Sequence, residues 1–338
     1  MPMQFRFKNP NRHLRAGFTF LDLIVLILLV MLGLAYALVG VDRVHHNYHD
    51  MRCGNNLKQI GGAMLLYAND NGNHLPRTCF DPALPPTAYS GASAKHPFAT
   101  NGPNANDVTA AMYLLLRTQD LTPNVFICPT SAANPLSFKS GTDANSFSNF
   151  FSKRYLSYSL TNCYPSPAAT QNGFKWTSTL TADFAIAADM NPGTPELFAL
   201  KPSNIQSALQ NGNSYNHQRA GQNVLFGDWH TEWQATPFCG YNNDNIYGPG
   251  TLVNASVTPP LIDPAISGNT FYASPAHTKD SVLLPTDADM QGYADPKTSE
   301  KLTWQIQAFN SELTPILTLM GMGFLGVRVW LYKRKRTN

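Results

Sequence analysis

Residues 18–41, FTFLDLIVLILLVMLGLAYALVGV, form the longest apolar run in the chain, and Asp22 is the one charged residue within it. As a helix rising about 1.5 Å per residue, this run would be roughly 36 Å long, enough to cross a bilayer. It is longer than the ~7–15 apolar residues of a secretory signal peptide. The run therefore predicts a membrane-spanning helix at the N-terminal end.

The charges of the chain are few and segregated. The 338 residues are 13% charged, about half the usual share, with a formal net charge of +3. Residues 1–17 are basic, residues 328–336 carry a second basic cluster, and the stretch between the two apolar regions is acidic. Because the basic residues flank apolar runs, we expect membrane lipid rather than nucleic acid as a partner, with the body on the exported side.

The block Arg15-Ala-Gly-Phe-Thr-Phe-Leu-Asp22 closes the basic leader. It resembles the prepilin signature of type IV pilins and type II secretion pseudopilins. The resemblance implies that a prepilin peptidase cuts after Gly17 and that Phe18 becomes the N-terminus and a methylation site. It also implies that Asp22, the fifth mature residue, neutralises the freed amine of a neighbouring subunit. The family usually has Glu at that position, so the side chain here is one methylene shorter.

The segment after the apolar run continues as a helix with one apolar face, and the turn-forming residues Asn69–Asn73 with Pro76 end it. Gly54, Gly61 and Gly62 predict a bend or close packing against a sheet. The strings CGNNLKQIG (53–61) and YANDNGNHLP (67–76) resemble the large pseudopilin-like family abundant in planctomycete-type bacteria. That resemblance implies an α+β, pilin-like fold in which a long N-terminal helix, apolar and transmembrane in its first half, packs on a small antiparallel sheet with long irregular loops.

Further elements follow from local patterns. We expect a helix over 107–117, and strands at 125–128, 155–160 and 184–189. A hairpin is expected from 223–226 and 231–234, around Gly-Asp-Trp-His.

The hairpin region also carries the second half of the family resemblance. The family signature is a His, about nine residues, then Asp-Gly, often followed by His; this chain has His217, Asp228, Trp229 and His230. Trp in place of Gly predicts either a different turn or an exposed Trp229, since Gly alone adopts positive φ easily. Asp228 is expected to bond backbone amides of the turn. A metal site on the two His and the Asp, or a catalytic base, are the alternatives.

Two other groups of residues bear on cofactors. Asn242–Asn245 offers oxygen ligands that calcium accepts, without EF-hand spacing, and no other cofactor is predicted. The five cysteines permit one or two disulfides in an exported body, but the pairing cannot be read from the sequence. No Cys-x-x-Cys pair supports a zinc ribbon or a thioredoxin-like site.

The predicted organisation is a leader (1–17), the apolar helix half (18–41), an exported pilin-like domain (42–248), an extended spacer (249–312) and an apolar C-terminal helix with a basic tail (313–338). The predicted function is that of a non-enzymatic, pseudopilin-like subunit of a secretion or surface assembly at the inner membrane, with prepilin peptidase and other pilin-like subunits as partners. The alternative is a two-span, membrane-anchored exported domain that binds a ligand or surface polymer and never polymerises.

Overall fold

The structure is a computed structural model that describes residues 20–91, 95–254, 261–263, 266 and 270–287. The chain divides into two units, Met1–His49 and Asp50–Asn338, and most of the tertiary structure belongs to the second. The expected leader and C-terminal apolar helix lie outside the described residues.

The long helix α1 runs from Phe20 to Asp70. In the second unit its buried side chains recur every three or four residues, as the apolar pattern predicts: Cys53, Leu57, Ile60, Met64 and Ala68. The helix ends in the predicted Asn-rich turn, where Asn73 adopts positive φ and donates its N–H to the carbonyl of Ala68.

A five-stranded antiparallel sheet forms the centre of the second unit. Its strands are β1 (Tyr158–Thr161), β2 (Ala185–Asp189), β3 (Gln222–Phe226), β4 (Thr231–Gln234) and β7 (Leu283–Leu284). Their spatial order is β4-β3-β2-β1-β7. A separate antiparallel pair consists of β5 (Thr251–Asn254) and β6 (Leu261–Asp263). Every residue of β1, β2 and β3 is buried, so both faces of the central strands are covered.

Three short α-helices accompany the sheet: α2 (Val108–Thr118), α3 (Pro167–Gln171) and α4 (Gln206–Leu209). Single 3-10 turns lie at Pro123–Phe126, Ala144–Ser146, Lys153–Tyr155, Pro195–Ala199, Gln210–Gly212, Tyr215–His217 and Tyr241–Asn243. Helix α2 begins where the sequence predicts, because Asp107 caps it by accepting the N–H of Ala110 at 2.9 Å. All residues of α2 from Val108 to Leu116 are buried, so it is a central helix rather than a surface one.

Aromatic rings fill the space beside α2. The Tyr113 and Phe150 rings meet edge to face at 5.1 Å, and Phe150 meets Phe126 in the same way at 5.4 Å. Such pairs add about 0.5–1.5 kcal/mol each beyond the area that they bury.

The expected fold class is wrong in its membrane component. Within the part of the chain that the structure describes, no helix has both the length and the apolar character that a bilayer crossing demands. The structure shows instead a small five-stranded antiparallel sheet with helices.

Two local expectations also differ from the structure. The strand predicted at 125–128 is wrong, because Pro123 opens a 3-10 turn that includes Val125 and Phe126, and proline's fixed φ suits a first helical turn. In the segment expected to be a spacer, Phe271 and Val282–Leu284 are buried, and β7 pairs with β1.

Candidate functional site

The β3–β4 hairpin holds two of the three signature residues at its exposed tip. Asp228 accepts the backbone N–H of His230 at 3.2 Å and also contacts the His230 ring. The hydrogen bond from His230 lowers the pKa of Asp228. This local pairing agrees with the expected role of Asp228 in the turn.

Trp229 occupies the position where a glycine would be easiest. Its φ is +72°, in the left-handed region, and its N–H donates to the carbonyl of Phe226 at 2.8 Å. The turn is therefore one that glycine favours, adopted by tryptophan. The ring is half-buried and packs against the core, close to Gly61 of α1.

The third signature residue, His217, is buried at the end of the 3-10 turn Tyr215–His217. It contacts other residues than Asp228 and His230. Its Nε2 is 2.9 Å from Oδ2 of Asp189, and its Nδ1 is 2.7 Å from Oδ1 of Asp50. The Asp50 contact is a charge pair rather than a well-aligned hydrogen bond. The imidazole is thus placed between two carboxylates, one from helix α1 and one from strand β2.

Asp189 ends strand β2 with its side chain fully buried. Besides His217, its carboxylate accepts the backbone N–H of Asn223 at 2.7 Å, the Asn223 amide at 3.2 Å and the Asn216 amide at 3.2 Å. The antiparallel pairing of β2 with β3 brings Asn223 to this position. A buried carboxylate with four such donors is satisfied, as buried charges in stable proteins are.

The charge state of His217 follows from its neighbours. Burial lowers the pKa of His217, but attraction to Asp189 and then to Asp50 outweighs burial and raises the pKa above its usual value. Below this raised pKa the group is an imidazolium between two carboxylates. The edge of the ring also meets the Trp233 ring of β4, with the centroids 5.1 Å apart.

A disulfide joins Cys53 of α1 to Cys128, and the Sγ of Cys128 is 3.8 Å from Nε2 of His217. In the described residues the five cysteines are thus this pair and the free thiols of Cys79, Cys163 and Cys239. Helix α1 is consequently fixed to the body by a covalent bond and by the Asp50–His217 ion pair within one helical turn.

Two glycines allow α1 to approach β3 closely at the same place. A Cβ at Gly54 would meet Oδ1 of Asn223 at 3.0 Å, and one at Gly61 would meet Leu225 at 3.0 Å. The two positions are seven residues apart and so share a helix face. This is the close packing against a sheet that the sequence predicts; Gly62, by contrast, faces open space.

The predicted calcium segment contributes to a different buried group. Asp244 lies with His277 and Asp280, their ligand atoms within 4.8 Å of one another. Burial lowers the pKa of His277 to about 4 and raises the pKa of Asp280. The Nδ1 of neutral His277 accepts the Lys279 N–H at 3.2 Å, so its proton is on Nε2, and an imidazole is not a ligand that calcium prefers.

The remaining predicted residues belong to the N-terminal end. Gly17 and Phe18 lie outside the described residues. Asp22 is exposed in the first turn of α1, where a carboxylate interacts favourably with the positive end of the helix dipole. Every residue from Phe20 to Leu34 is exposed.

No protein-family model, curated protein or solved structure matches the chain. The pseudopilin-like family therefore remains an expectation from the motifs.

Sequence reasoning found His217 but not its partners. Asp50 and Asp189 are 167 and 28 residues away from it in the chain, and neither belongs to a motif with His217. One feature does distinguish Asp189: it is an acid at the end of the apolar strand FAIAAD, where a buried carboxylate needs partners.

Proposed function

We propose that the protein is a non-enzymatic, pseudopilin-like subunit that assembles with further copies through the N-terminal part of helix α1. Prepilin peptidase is its proposed processing partner, and a secretion or surface assembly of the bacterial envelope is its proposed place of action.

One observation carries the proposal: the exposure of large apolar side chains along α1. Between Phe20 and Leu34 these side chains are 40–70% exposed, and they are Phe20, Leu21, Leu23, Ile24, Val25, Leu26, Ile27, Leu28, Leu29, Val30, Met31, Leu32 and Leu34. Contiguous exposed apolar surface of this kind marks an interaction site. Each such side chain that becomes fully buried contributes about 1.5–3 kcal/mol, so a neighbouring helix would cover the segment at a large gain in free energy.

The state of His217 supports a role other than catalysis. The ring is buried, and Asp50 and Asp189 occupy both of its nitrogens. A general base must reach the proton that it abstracts, and this imidazole has no free nitrogen to offer. The residue therefore serves the attachment of α1 to the sheet.

Photo-crosslinking in producing cells tests the assembly directly. A photoreactive phenylalanine analogue placed at Leu28, which is 63% exposed, should give adducts between copies of the chain. The matched control is Ile205, which is 74% exposed on α4's N-terminal side and should give none. Equal yields at the two positions, or adducts at Leu28 that contain lipid alone, would refute the proposal.

Processing and the role of Asp22 are tested together. Mass spectrometry of the mature protein should find Phe18 as a methylated N-terminus, and a start at Met1 would contradict cleavage after Gly17. Asp22→Ala should reduce the Leu28 adducts, because the acid is proposed to neutralise the Phe18 amine of a neighbour, whereas Asp22→Glu should retain them. Unchanged adducts in Asp22→Ala would rule out that role.

A further inference from the structure

We propose that Cys53, Cys128, His217 and Asp189 bind one zinc ion when the Cys53–Cys128 disulfide is reduced. The disulfide is then the oxidised, metal-free form of the same site. This inference is independent of the proposed assembly, since it concerns side chains of the second unit alone.

The donor atoms are already gathered in the oxidised protein. The two sulfurs, one imidazole nitrogen and one carboxylate oxygen all lie within 4.8 Å of one another, and all four residues are buried. Nε2 of His217 is 2.9 Å from Oδ2 of Asp189 and 3.8 Å from Sγ of Cys128. Ligands on tetrahedral zinc, at about 2.0–2.3 Å from the metal, are roughly 3.3–3.8 Å apart, so these separations are close to those required.

The chemistry of the donor set is specific. Two thiolates, one imidazole and one carboxylate are ligands that zinc accepts in tetrahedral sites, whereas magnesium and calcium prefer oxygen alone. Once the sulfurs are no longer bonded to each other, they separate by side-chain rotation to the distance of two ligands on one metal. The set is also closed, because four protein ligands leave no position for a substrate.

The surroundings of the ligands match those of a zinc site as well. Asp50 contacts Nδ1 of His217 and keeps a proton on that nitrogen, so Nε2, once it has lost its proton, is the donor atom of the ring, 3.8 Å from Sγ of Cys128. Metal-bound histidines usually have such a carboxylate on the other ring nitrogen. The backbone N–H of Asn223 and the Asn216 amide hold the Asp189 carboxylate in place.

The conversion of the disulfide into the zinc-bound form is balanced with a dithiol as the reductant. The dithiol transfers two electrons and two protons, the S–S bond breaks to give the Cys53 and Cys128 thiols, and the dithiol becomes a disulfide. Zinc binding then displaces one proton from each thiol and the Nε2 proton from the His217 imidazolium. Three protons pass to solvent, and two Zn–S bonds, one Zn–N bond and one Zn–O bond form.

Cobalt titration of the full-length chain tests the proposal. The protein, reduced by a phosphine and kept anaerobic, should bind one Co²⁺ with the thiolate charge-transfer and tetrahedral d–d bands, and Zn²⁺ should displace it. The oxidised protein should show neither band. The Cys53→Ser/Cys128→Ser variant should lose both bands, while Cys79→Ser, a free and half-buried cysteine, should keep them.

The Asp50→Asn variant tests the site while leaving all four proposed ligands intact. Loss of its carboxylate should weaken cobalt binding by about 10–100-fold. Absence of the bands in the folded, reduced protein would overturn the proposal, as would bands that survive in the double serine variant. If reduction unfolds the protein, circular dichroism should show that zinc restores the fold, and failure to do so would equally overturn it.

Discussion

The two carboxylates that contact His217 should differ sharply in their contribution to stability. Asp189→Asn removes the charge from a fully buried side chain, whereas Asp50→Asn removes it from one that is 32% exposed. Breaking a buried ion pair on one side costs about 3–5 kcal/mol, because the remaining charge is left without compensation. An ion pair open to solvent contributes about 1 kcal/mol or less.

The hydrogen bonds that Asp189 accepts increase this difference in stability between the two variants. Oδ2 of Asp189 receives three donors, from the backbone and side chain of Asn223 and from His217, and an asparagine amide placed there would face them with hydrogens of its own. We therefore expect Asp189→Asn to lower the free energy of unfolding by about 3–5 kcal/mol and Asp50→Asn by about 1 kcal/mol.

Urea unfolding of the oxidised, metal-free, full-length protein in a mild detergent measures both values by circular dichroism. The measurement is made at a pH below the ordinary histidine pKa of about 6.5, where His217 is charged in both the folded and the unfolded state. Equal losses in the two variants, or a greater loss in Asp50→Asn, would refute the assignment of Asp189 as the principal partner.

The same pair predicts a pH dependence. Because the folded pKa of His217 is raised, its stabilisation is complete below the unfolded pKa of about 6.5 and is lost as the pH rises through the folded pKa. Stability of the wild type should fall across that interval, and the fall should become shallower in Asp189→Asn. An identical slope in both proteins would show that another group titrates there.

Three further predictions use the same urea assay. Gly227→Ala should cost about 1–3 kcal/mol, because its Cβ would lie 2.2 Å from a backbone carbonyl oxygen, while the matched Gly62→Ala, in open space, should gain about 0.5–1 kcal/mol; a loss at both would count against the packing described. Cys53→Ser/Cys128→Ser should cost about 4 kcal/mol, since the bond closes a loop with a sequence separation of 75, and no loss would mean that the bond does not form. Trp229→Gly should lower the free energy of unfolding by about 2 kcal/mol net, because the packing energy lost with the half-buried ring exceeds the strain relieved at the left-handed φ. A more stable variant would show that the strain is the larger contribution.

Elements with a strong local pattern were predictable from the sequence. The apolar face of α1, its end at the Asn-rich turn, the Asp107 cap of α2 and the β3–β4 hairpin all follow from periodicity and turn residues. In each case the decisive interactions link residues a few positions apart.

Elements whose structure depends on residues far away in the chain were not predictable from the sequence. Strand β7 is two residues long and lies in a proline-rich stretch, and it is a strand because β1 pairs with it. At 125–128 the apolar residues suited a strand, but Pro123 and burial beneath the aromatic cluster favour a 3-10 turn. The membrane expectation rested on the length and hydropathy of residues 18–41 and on the basic residues beside the apolar runs, whereas no helix in the described part of the chain meets the requirements of a span.

The candidate site shows the same division. His217 was identifiable, yet its role depends on Asp50, Asp189 and Cys128, which only the packing of α1 against the sheet brings together. Sequence could permit a disulfide but could not select Cys53 and Cys128 from five cysteines.

The Cys53–Cys128 bond has a mechanical consequence. Tension applied to the polypeptide on the N-terminal side of Cys53 crosses directly through the sulfur atoms to Cys128. Residues 54–127, including α2 and the remainder of α1, carry none of that load. A chain pulled from its N-terminal side would therefore transmit force to Cys128 and the residues after it, while the intervening quarter of the molecule stayed unstretched.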